Sequence, residues 1–325
     1  MTKFRNPLIP IYRILHEETD DANHTLTQPE LIRLLKENYQ LTIDRRTLYH
    51  HIDYLNHHEI AVETFSDSRK GYKLEDRLLQ KESLSILIHL LQGATFIPVN
   101  LTNEIINKLL STQSKHIRKE LELHKSTYTE HKTSNKSFIN AVLEIIEAIA
   151  YKHPIEADYL KYDLNKKLIS RRRRPYLLHP YHLVNSNGNL YLICSYDDLE
   201  ELSFYRVDKM RNVKIIRNQP RREYSEEINP YSYVSGRPYM YEGNMMECVL
   251  RCDQSILENV LDEFGFDTIL KAVDEDHFDL HITITDRGLL YWVAQFHDRV
   301  EILEPQELRD HYIGTLYKML ALYQK

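Results

Sequence analysis

The period of the hydrophobic pattern changes near residue 153, and this change constrains the fold more than any other feature. Over roughly the first 150 residues, apolar side chains recur at the spacing of amphipathic helices. Residues 153–216 instead alternate with the two-residue period of strands, and turn-forming residues divide them into short runs. Both patterns alternate after about residue 245. The 325-residue chain is therefore predicted to be an α+β protein of several domains.

Residues 1–78 are predicted to form three short helices followed by a β-hairpin. All three helix starts carry capping signals. Asn6 precedes Pro7 at the first, Thr27 and Glu30 have the spacing of a capping box at the second, and Asp44 precedes the third apolar stripe. The hairpin would close around a turn at 66–71. Three helices and a hairpin in this order are the arrangement of a winged helix-turn-helix, whose third helix enters the DNA major groove.

The predicted third helix has one apolar face and one face suited to DNA. Leu48, Ile52 and Leu55 would be buried, which leaves basic and aromatic side chains on the other face. The candidate DNA-binding residues are Arg45, Arg46, Tyr49 and His50 of this helix, with Arg69 and Lys70 of the turn. Arginine can donate to phosphates and to guanine edges, so the expected partner is a double-stranded DNA operator. The alternative is an ordinary solvated surface helix.

Residues 79–151 are predicted to be a helical linker. The polar stretches near 112–116 and 127–136 separate its helices. Two apolar stripes are expected to be buried, namely Ile105, Ile106, Leu109 and Leu110 in one helix and Phe138, Val142, Ile145, Ile146 and Ile149 in another.

Residues 152–222 contain four or five short strands, with Asn187-Gly188 as the clearest hairpin turn. So many strands in so few residues favour a small β-barrel over an open sheet. The charge is uneven along the chain: fifteen basic residues face nine acidic ones over 152–224, whereas eight face nineteen over 225–325. A basic barrel is thus followed by an acidic C-terminal region.

The mixture of cations and tyrosines in the barrel is typical of a site for single-stranded nucleic acid, where bases stack on aromatic rings. The tyrosines concerned are Tyr159, Tyr181, Tyr191 and Tyr205. Four successive arginines occupy 171–174, but side chains alternate along a strand, so only two of the four can share a face. In the alternative interpretation, these arginines pair with the acidic region of the same chain or of a dimer partner.

The segment 223–244 is interpreted as an ordered linker. Beyond it, residues 245–325 are predicted to follow the order βαββαβ with an added helix, which is the order of a ferredoxin-like fold. Cys248 and Cys252 fall in its first strand and are expected to be small buried residues.

Several function classes are disfavoured by the composition. Eight glycines, with no phosphate-binding loop and no G-x-S-x-G, argue against nucleotide-loop enzymes and serine hydrolases. Three cysteines suit a reducing compartment, and no apolar run approaches the roughly 18 residues of a membrane span. The expectations are a cytoplasmic protein without catalytic residues, cofactor or metal. The alternative enzyme would act on nucleotides through His179 or Asp208.

Several segments resemble the bacterial WYL-domain transcriptional regulators. Residues 26–48 and 71–74 resemble their winged helix-turn-helix, and residues 179–193 resemble the core of the WYL domain. Residues 203–210, Ser-Phe-Tyr-Arg-Val-Asp-Lys-Met, are similar to the family's Phe-Arg-Leu-Asp-Arg-Ile stretch. Residues 301–309 resemble the start of the last helix of the C-terminal extension domain.

The resemblance implies a homodimeric, ligand-responsive transcription factor with an Sm-like five-stranded WYL barrel. The effectors known in the family are nucleic acids or nucleotide-like molecules. By position, Tyr191 and Leu192 keep the signature Tyr-Leu, whereas Leu190 stands where tryptophan is expected. Arg206 and Lys209 occupy the two basic positions of the later stretch, and the lysine lacks the bidentate fork of the more usual arginine.

Two functions are therefore carried forward. The first is a cytoplasmic, homodimeric DNA-binding regulator whose WYL domain senses a nucleic-acid or nucleotide-like effector. The second is a single-stranded RNA or DNA binding module in which the barrel is the main actor and residues 1–75 are dispensable. The candidate effector-binding residues are Arg172, Arg174, His179, Tyr181, Tyr191, Arg206 and Lys209.

Overall fold

A computed structural model describes residues 6–20, 24–75, 77–122, 131–196, 202–224, 229–241 and 243–324. The chain divides into two compact units, residues 1–132 and 133–325. Parts of the predicted linkers, including residues 127–130 and 225–228, lie outside the described residues.

The first part of unit 1 consists of three helices and a small antiparallel sheet. Its elements are α1 (Leu8–Glu18), α2 (Gln28–Tyr39), α3 (Arg45–His57), β1 (Val62–Glu63), α4 (Phe65–Ser68) and β2 (Lys73–Leu74). Val62 lies opposite Leu74 in the sheet. The three long helices and the sheet enclose one apolar core, to which α3 contributes Leu48, Ile52 and Leu55 as predicted.

The predicted starts of α2 and α3 are confirmed by side-chain hydrogen bonds. The Thr27 amide and hydroxyl both donate to the Glu30 carboxylate, at 2.8 and 2.6 Å, which completes a capping box. Asp44 accepts from the Thr47 amide at 2.8 Å. Each bond satisfies a first-turn donor or fixes the entry of the chain, so these residues set where the helices begin.

The predicted hairpin is only partly correct. Strand β1 ends at Glu63, and the short helix α4 (Phe65–Ser68) overlaps the turn that was predicted at 66–71. The Thr64 amide and hydroxyl donate to Asp67 at 2.8 and 2.7 Å, and Arg69 ends the helix with φ at 59°. These local side-chain bonds favour a helical turn over a longer strand.

Gly71 allows the loop after α4 to approach the segment before α2. Leu26 and Tyr72 form a two-way backbone bridge, with N···O distances of 2.9 and 2.7 Å. Gly71 has φ at +154°, and a Cβ there would lie 2.6 Å from the Leu26 carbonyl oxygen. A side chain at this position therefore conflicts with the bridge.

Three further helices complete unit 1: α5 (Lys81–Gly93), α6 (Val99–Leu110) and α7 (Lys115–Glu122). Their shared core contains Leu84, Ile88, Ile106, Leu110, Ile117 and Leu121. Of the predicted α6 stripe, Ile106 and Leu110 are buried, whereas Ile105 and Leu109 are half-buried.

Polar contacts join the start of α7 to the end of α1. The Ser114 hydroxyl donates to the buried Asp20 carboxylate at 2.6 Å, and Arg118 pairs with Glu17. The buried Arg77 side chain donates to the His16 carbonyl at 2.8 Å. A carboxylate and a guanidinium are costly to bury alone, so these contacts make residues after α4 part of the support for α1.

The first half of unit 2 is a helix packed on a curled antiparallel sheet. It contains α8 (Phe138–Ala150), β3 (Ile155–Tyr162), β4 (Leu168–Ser170), β5 (Tyr176–Ser186), β6 (Asn189–Tyr196), β7 (Leu202–Arg206) and β8 (Met210–Ile215). The strand order is β4-β3-β5-β6-β7, and β8 pairs with β3. A 3-10 turn, Val207–Lys209, connects β7 to β8.

The predicted buried stripe of α8 was partly wrong. The structure buries Phe138, Ala141, Ile145 and Ala148, while Ile146 is 52% exposed. Large apolar residues occur around most of this helix, so their spacing does not single out one face. The two alanines let the helix pack closely on the sheet, and this decides which face is buried.

The second half of unit 2 is a four-stranded antiparallel sheet with helices. It contains α9 (Pro230–Ser235), β9 (Met245–Asp253), α10 (Leu257–Phe264), β10 (Ile269–Ala272), β11 (His277–Thr285), α11 (Asp286–Gln295), β12 (Val300–Glu304) and α12 (Gln306–Tyr323). The strand order is β10-β11-β9-β12. Cys248 and Cys252 are buried in its core with Trp292, as predicted. Among the described helices, none has both the length and the apolarity needed to cross a bilayer.

Candidate functional site

The structure presents the predicted DNA-binding face of α3 to solvent. Arg45, Arg46, Tyr49 and His50 are all exposed, on the side of the helix away from the core. Tyr49 also hydrogen-bonds to Tyr72, and burial together with this bond raises the pKa of Tyr72. Two arginines, a phenol and an imidazole on one accessible helix face can contact both phosphates and base edges.

The two predicted cations of the turn are also exposed. Arg69 and Lys70 directly follow α4, and the Lys70 carbonyl accepts from the Thr25 hydroxyl at 3.4 Å. The Leu26–Tyr72 bridge fixes the next residues. The backbone bridge between Leu26 and Tyr72 therefore keeps the exposed side chains of Arg69 and Lys70 beside the three helices.

One face of the curled sheet gathers several predicted effector-binding residues. His179 is paired with Ser195, and Tyr191 with Arg206, across neighbouring antiparallel strands. Directly opposite residues share a face of a sheet, and β6 keeps Tyr191 and Ser195 on the same face. Tyr181 lies at a bulge in β5, and its hydroxyl shares a 2.9 Å hydrogen bond with the Ser195 hydroxyl.

Arg206 is held in a fixed orientation on this face. Its Nε and Nη2 atoms donate to the two carboxylate oxygens of the buried Asp208, at 3.0 and 2.8 Å. The Arg206 amide donates to the Tyr159 hydroxyl at 3.3 Å, and burial raises the pKa of Tyr159 to about 12. Lys209 is half-buried nearby; burial, followed by the charge of Arg206, lowers its pKa. The site therefore contains Arg206 in a fixed orientation with Lys209 close to it.

Arg172 belongs to a different cluster. Its guanidinium lies 3.4 Å from the centre of the Tyr176 ring and donates to the Tyr196 hydroxyl at 2.6 Å. It also donates to the carbonyls of Arg174 and Pro175, at 2.9 and 2.7 Å. Tyr196 points to the face of β6 opposite to Ser195, so the structure does not bring Arg172 together with Arg206. The Arg174 residue is exposed.

Sequence reasoning missed three arginines that contact the Tyr181 face, two through the guanidinium and Arg222 through its backbone. The Arg221 guanidinium lies 4.8 Å from the centre of the Tyr181 ring. The Arg222 amide donates to His179 Nδ1 at 3.0 Å, and its carbonyl accepts from the Tyr181 hydroxyl at 3.2 Å. Arg237 lies 5.3 Å from the centre of the Phe204 ring. The Arg221-Arg222 pair was counted in the positive charge, but its place after the last strand gave no reason to assign it here.

The cations beside the tyrosines make this face suited to an anionic ligand. Guanidinium groups bind phosphate. Tyr181 and Tyr191, by contrast, are 3% and 9% exposed and pack in an apolar cluster with Met240, so their rings are not open to a stacked base. His179 is a poor candidate for a catalytic base, since its Nδ1 already accepts a backbone hydrogen bond and the neutral ring then carries its proton on the other nitrogen. The geometry therefore favours binding over catalysis.

Comparison with known proteins identifies two domains of the chain and a distant relative. Residues 140–215 match the WYL domain, and residues 244–320 match the WCX domain. Over 308 residues the chain is 21% identical to the uncharacterized HTH-type transcriptional regulator YobV of Bacillus subtilis (strain 168), in an alignment that covers 89% of this chain and 92% of YobV. The chain thus contains a WYL domain and a WCX domain and is distantly similar to an HTH-type transcriptional regulator, a combination that supports a WYL-domain transcriptional regulator.

Two solved structures show weaker likenesses. Proteasome accessory factor B/C (PafBC) of Arthrobacter aurescens aligns with a TM-score of 0.28 and 14% identity, over 93% of this chain. The chain spans 44% of that protein's length. A CRISPR Cas-related protein aligns with a TM-score of 0.36 and 14% identity, over 97% of this chain and 92% of the other.

Proposed function

We propose that this protein is a DNA-binding transcriptional regulator whose activity responds to a nucleic-acid or nucleotide-like effector. The observation that carries the proposal is the WYL-domain face on which Tyr181, Tyr191 and Arg206 meet the arginines of the following segment. Regulators transmit a signal only if the effector prefers one arrangement of the protein, so effector binding and DNA binding must be coupled.

The DNA-binding part is residues 1–78, acting as a winged helix-turn-helix. In this proposal α3 enters the major groove, where Arg45, Arg46, Tyr49 and His50 contact bases and phosphates, and Arg69 and Lys70 contact the backbone beside it. The support is the order of three helices and a sheet, together with the exposure of all six side chains.

The effector-binding part is an Sm-like barrel formed by the curled sheet. Its strand order, with β8 returning to pair with β3, supports this assignment. The effector's phosphates would contact Arg206 and Lys209, the half-buried cations of this face. His179 and Tyr181 complete the site, while Arg172 and Arg174 act at its edge.

The remaining features complete a model of a cytoplasmic homodimer. The β10-β11-β9-β12 order and the alternation of helices and strands support a ferredoxin-like C-terminal domain. Its acidic character suits a role in dimerisation or in covering the basic barrel.

The first test is DNA binding by the full chain to the duplex upstream of its own gene, at two salt concentrations. Arg45→Ala combined with Arg46→Ala should weaken binding and reduce the slope of log affinity against log salt by about 2, since each phosphate that is no longer neutralised lowers the slope by roughly 0.9. Lys108→Ala is the matched control, because Lys108 is an exposed cation of α6 that pairs with Glu104 at 2.6 Å.

A change in duplex affinity on adding a short single-stranded DNA would support the effector half of the proposal. Equal duplex binding by the double variant and the Lys108→Ala protein would refute the DNA-binding half. Tight binding of single strands without any duplex binding would instead identify a single-stranded nucleic-acid module.

A further inference from the structure

Asn135 lies just before α8, outside the segment that matches the WYL domain, yet it contacts the turn that carries the basic residues. Its side chain is 5% exposed. The Nδ2 atom donates to the carbonyls of Asp208 and Met210, at 2.9 and 2.7 Å, and Oδ1 accepts from the Ser137 amide at 3.0 Å. Both ends of the amide are therefore used, and its orientation is fixed.

A second side chain of the same segment reaches the same carbonyl. The Thr133 hydroxyl donates to the Asp208 carbonyl at 3.5 Å and accepts from the backbone N–H of Asn135 at 3.2 Å. The Asp208 carbonyl has two lone pairs, and both are thus directed at residues 133–135. Side chains from the first residues of unit 2 therefore bind the Asp208 backbone carbonyl of the 3-10 turn Val207–Lys209 and fix its position.

This turn controls how Arg206 is presented. The Asp208 carboxylate binds the Nε and Nη2 side of the guanidinium. A guanidinium can bind a second oxyanion through its Nη1 and Nη2 end. A shift of the Asp208 backbone would rotate that end away, so the bonds from Asn135 fix the direction in which Arg206 can receive a phosphate. Lys209 is part of the same turn and depends on the same support.

We propose that Asn135 is a positioning residue of the effector site, which aims the Nη1–Nη2 end of Arg206 at a phosphate of the ligand. This inference rests on the proposed effector class. It also implies that the effector site includes the first residues of unit 2 and not only the barrel. Side chains that support a binding group at one remove commonly determine whether that group reaches its productive geometry.

The experiment compares Asn135→Ala with Asn189→Ala in the full-length protein. Asn189 is the matched control, since its Nδ2 donates to the Asn187 carbonyl at 3.1 Å in the β5–β6 hairpin. Affinity for a fluorescein-labelled ten-nucleotide single-stranded DNA is measured by anisotropy. The expected result is about tenfold weaker binding for Asn135→Ala, the effect of losing one or two positioning hydrogen bonds, and little change for Asn189→Ala.

A second readout needs no ligand. The Nε–H signal of Arg206 is observed by NMR on protein labelled with ¹⁵N-arginine and assigned by its loss in Arg206→Lys. Its exchange with solvent should be slow in the wild type, because Asp208 accepts this proton. Exchange should be at least about tenfold faster in Asn135→Ala and unchanged in Asn189→Ala.

The two readouts separate the two ideas. Unchanged Nε–H exchange in Asn135→Ala would overturn the positioning role, whatever the DNA affinity. Faster exchange with no wild-type binding of the oligonucleotide would support the positioning role and refute the proposed effector class. Should Asn135→Ala fail to fold, Asn135→Ser keeps an acceptor near the Ser137 amide but cannot reach both carbonyls, and the same exchange measurement applies.

Discussion

Replacing Gly71 with alanine should destabilise unit 1 through a single backbone collision. The new Cβ would lie 2.6 Å from the Leu26 carbonyl oxygen and 3.0 Å from its carbon. Ordinary contact begins near 3.4 Å, so the oxygen must retreat by about 0.8 Å. That retreat breaks the 2.7 Å hydrogen bond from the Tyr72 amide and weakens the 2.9 Å return bond from Leu26.

The expected cost is about 3 kcal/mol of unfolding free energy. Each of the two backbone bonds contributes about 1 kcal/mol, and the positive φ adds about 1 kcal/mol or more once a Cβ is present. The measurement is urea unfolding followed by far-UV circular dichroism. Trp292, the only tryptophan, lies in unit 2 and reports by fluorescence on the other half of the chain.

Gly93→Ala provides the matched control. Gly93 is the last residue of α5, and a Cβ there meets nothing within 4 Å. Alanine at this site should leave the stability unchanged or raise it by up to about 1 kcal/mol. An unfolding midpoint of Gly71→Ala equal to that of Gly93→Ala would refute the argument. Loss of stability should also weaken duplex binding, since the same bridge holds the loop that carries Arg69 and Lys70.

Three further predictions concern unit 2. Tyr181→Phe removes the hydrogen bonds of this hydroxyl to Ser195 and to the Arg222 carbonyl, so it should cost about 2 kcal/mol in urea unfolding. Adding Ser195→Ala should cost little more, because the bond between the two hydroxyls is already lost, and fully additive losses would contradict this. Burial raises the pKa of the Cys248 thiol to about 11 and of the Cys252 thiol to about 12. Both thiols should therefore resist a thiol-reactive disulfide reagent at pH 8 until the protein unfolds. Rapid labelling of the folded protein would show that they are accessible. Burial also raises the pKa of Glu263 above its ordinary 4.5, so stability is lost as the pH rises through the folded-state pKa. Glu263→Gln should therefore be more stable than wild type at pH 8 and lose that advantage near pH 4. An advantage that does not depend on pH would exclude burial of the ionised carboxylate as its cause.

Local signals predicted the helix boundaries best. The Thr27–Glu30 and Asp44 caps are self-contained, because each depends on residues within one turn. The same kind of signal explains the error after β1. Thr64 and Asp67 have capping-box spacing, but the sequence interpretation gave priority to the neighbouring strand pattern. The capping-box spacing that determines this helical turn was therefore present in the sequence, but the weaker strand pattern was given more weight.

Non-local features could not be predicted in the same way. The buried face of α8 depends on how closely Ala141 and Ala148 approach the sheet, which periodicity does not encode when several faces are apolar. Of the candidate site, strand alternation was enough to place Tyr191 with Arg206 once the register was known. The position of Arg221 depends on where the chain turns after β8, and no local pattern sets that course.

The contacts between α1 and α7 bear on how evolution or an engineer can exchange the parts of this protein. A fragment ending at residue 78 would keep Asp20 and its neighbour His24 but lose the Ser114 hydroxyl that donates to Asp20, and would lose Arg118 as the partner of Glu17. A chimera cut there would leave the Asp20 carboxylate with His24 at Oδ1 but without the hydrogen bond that Ser114 donates to Oδ2. A cut at 132/133 keeps every member of this network on one side. The transferable module for grafting onto another sensor is therefore the whole of unit 1.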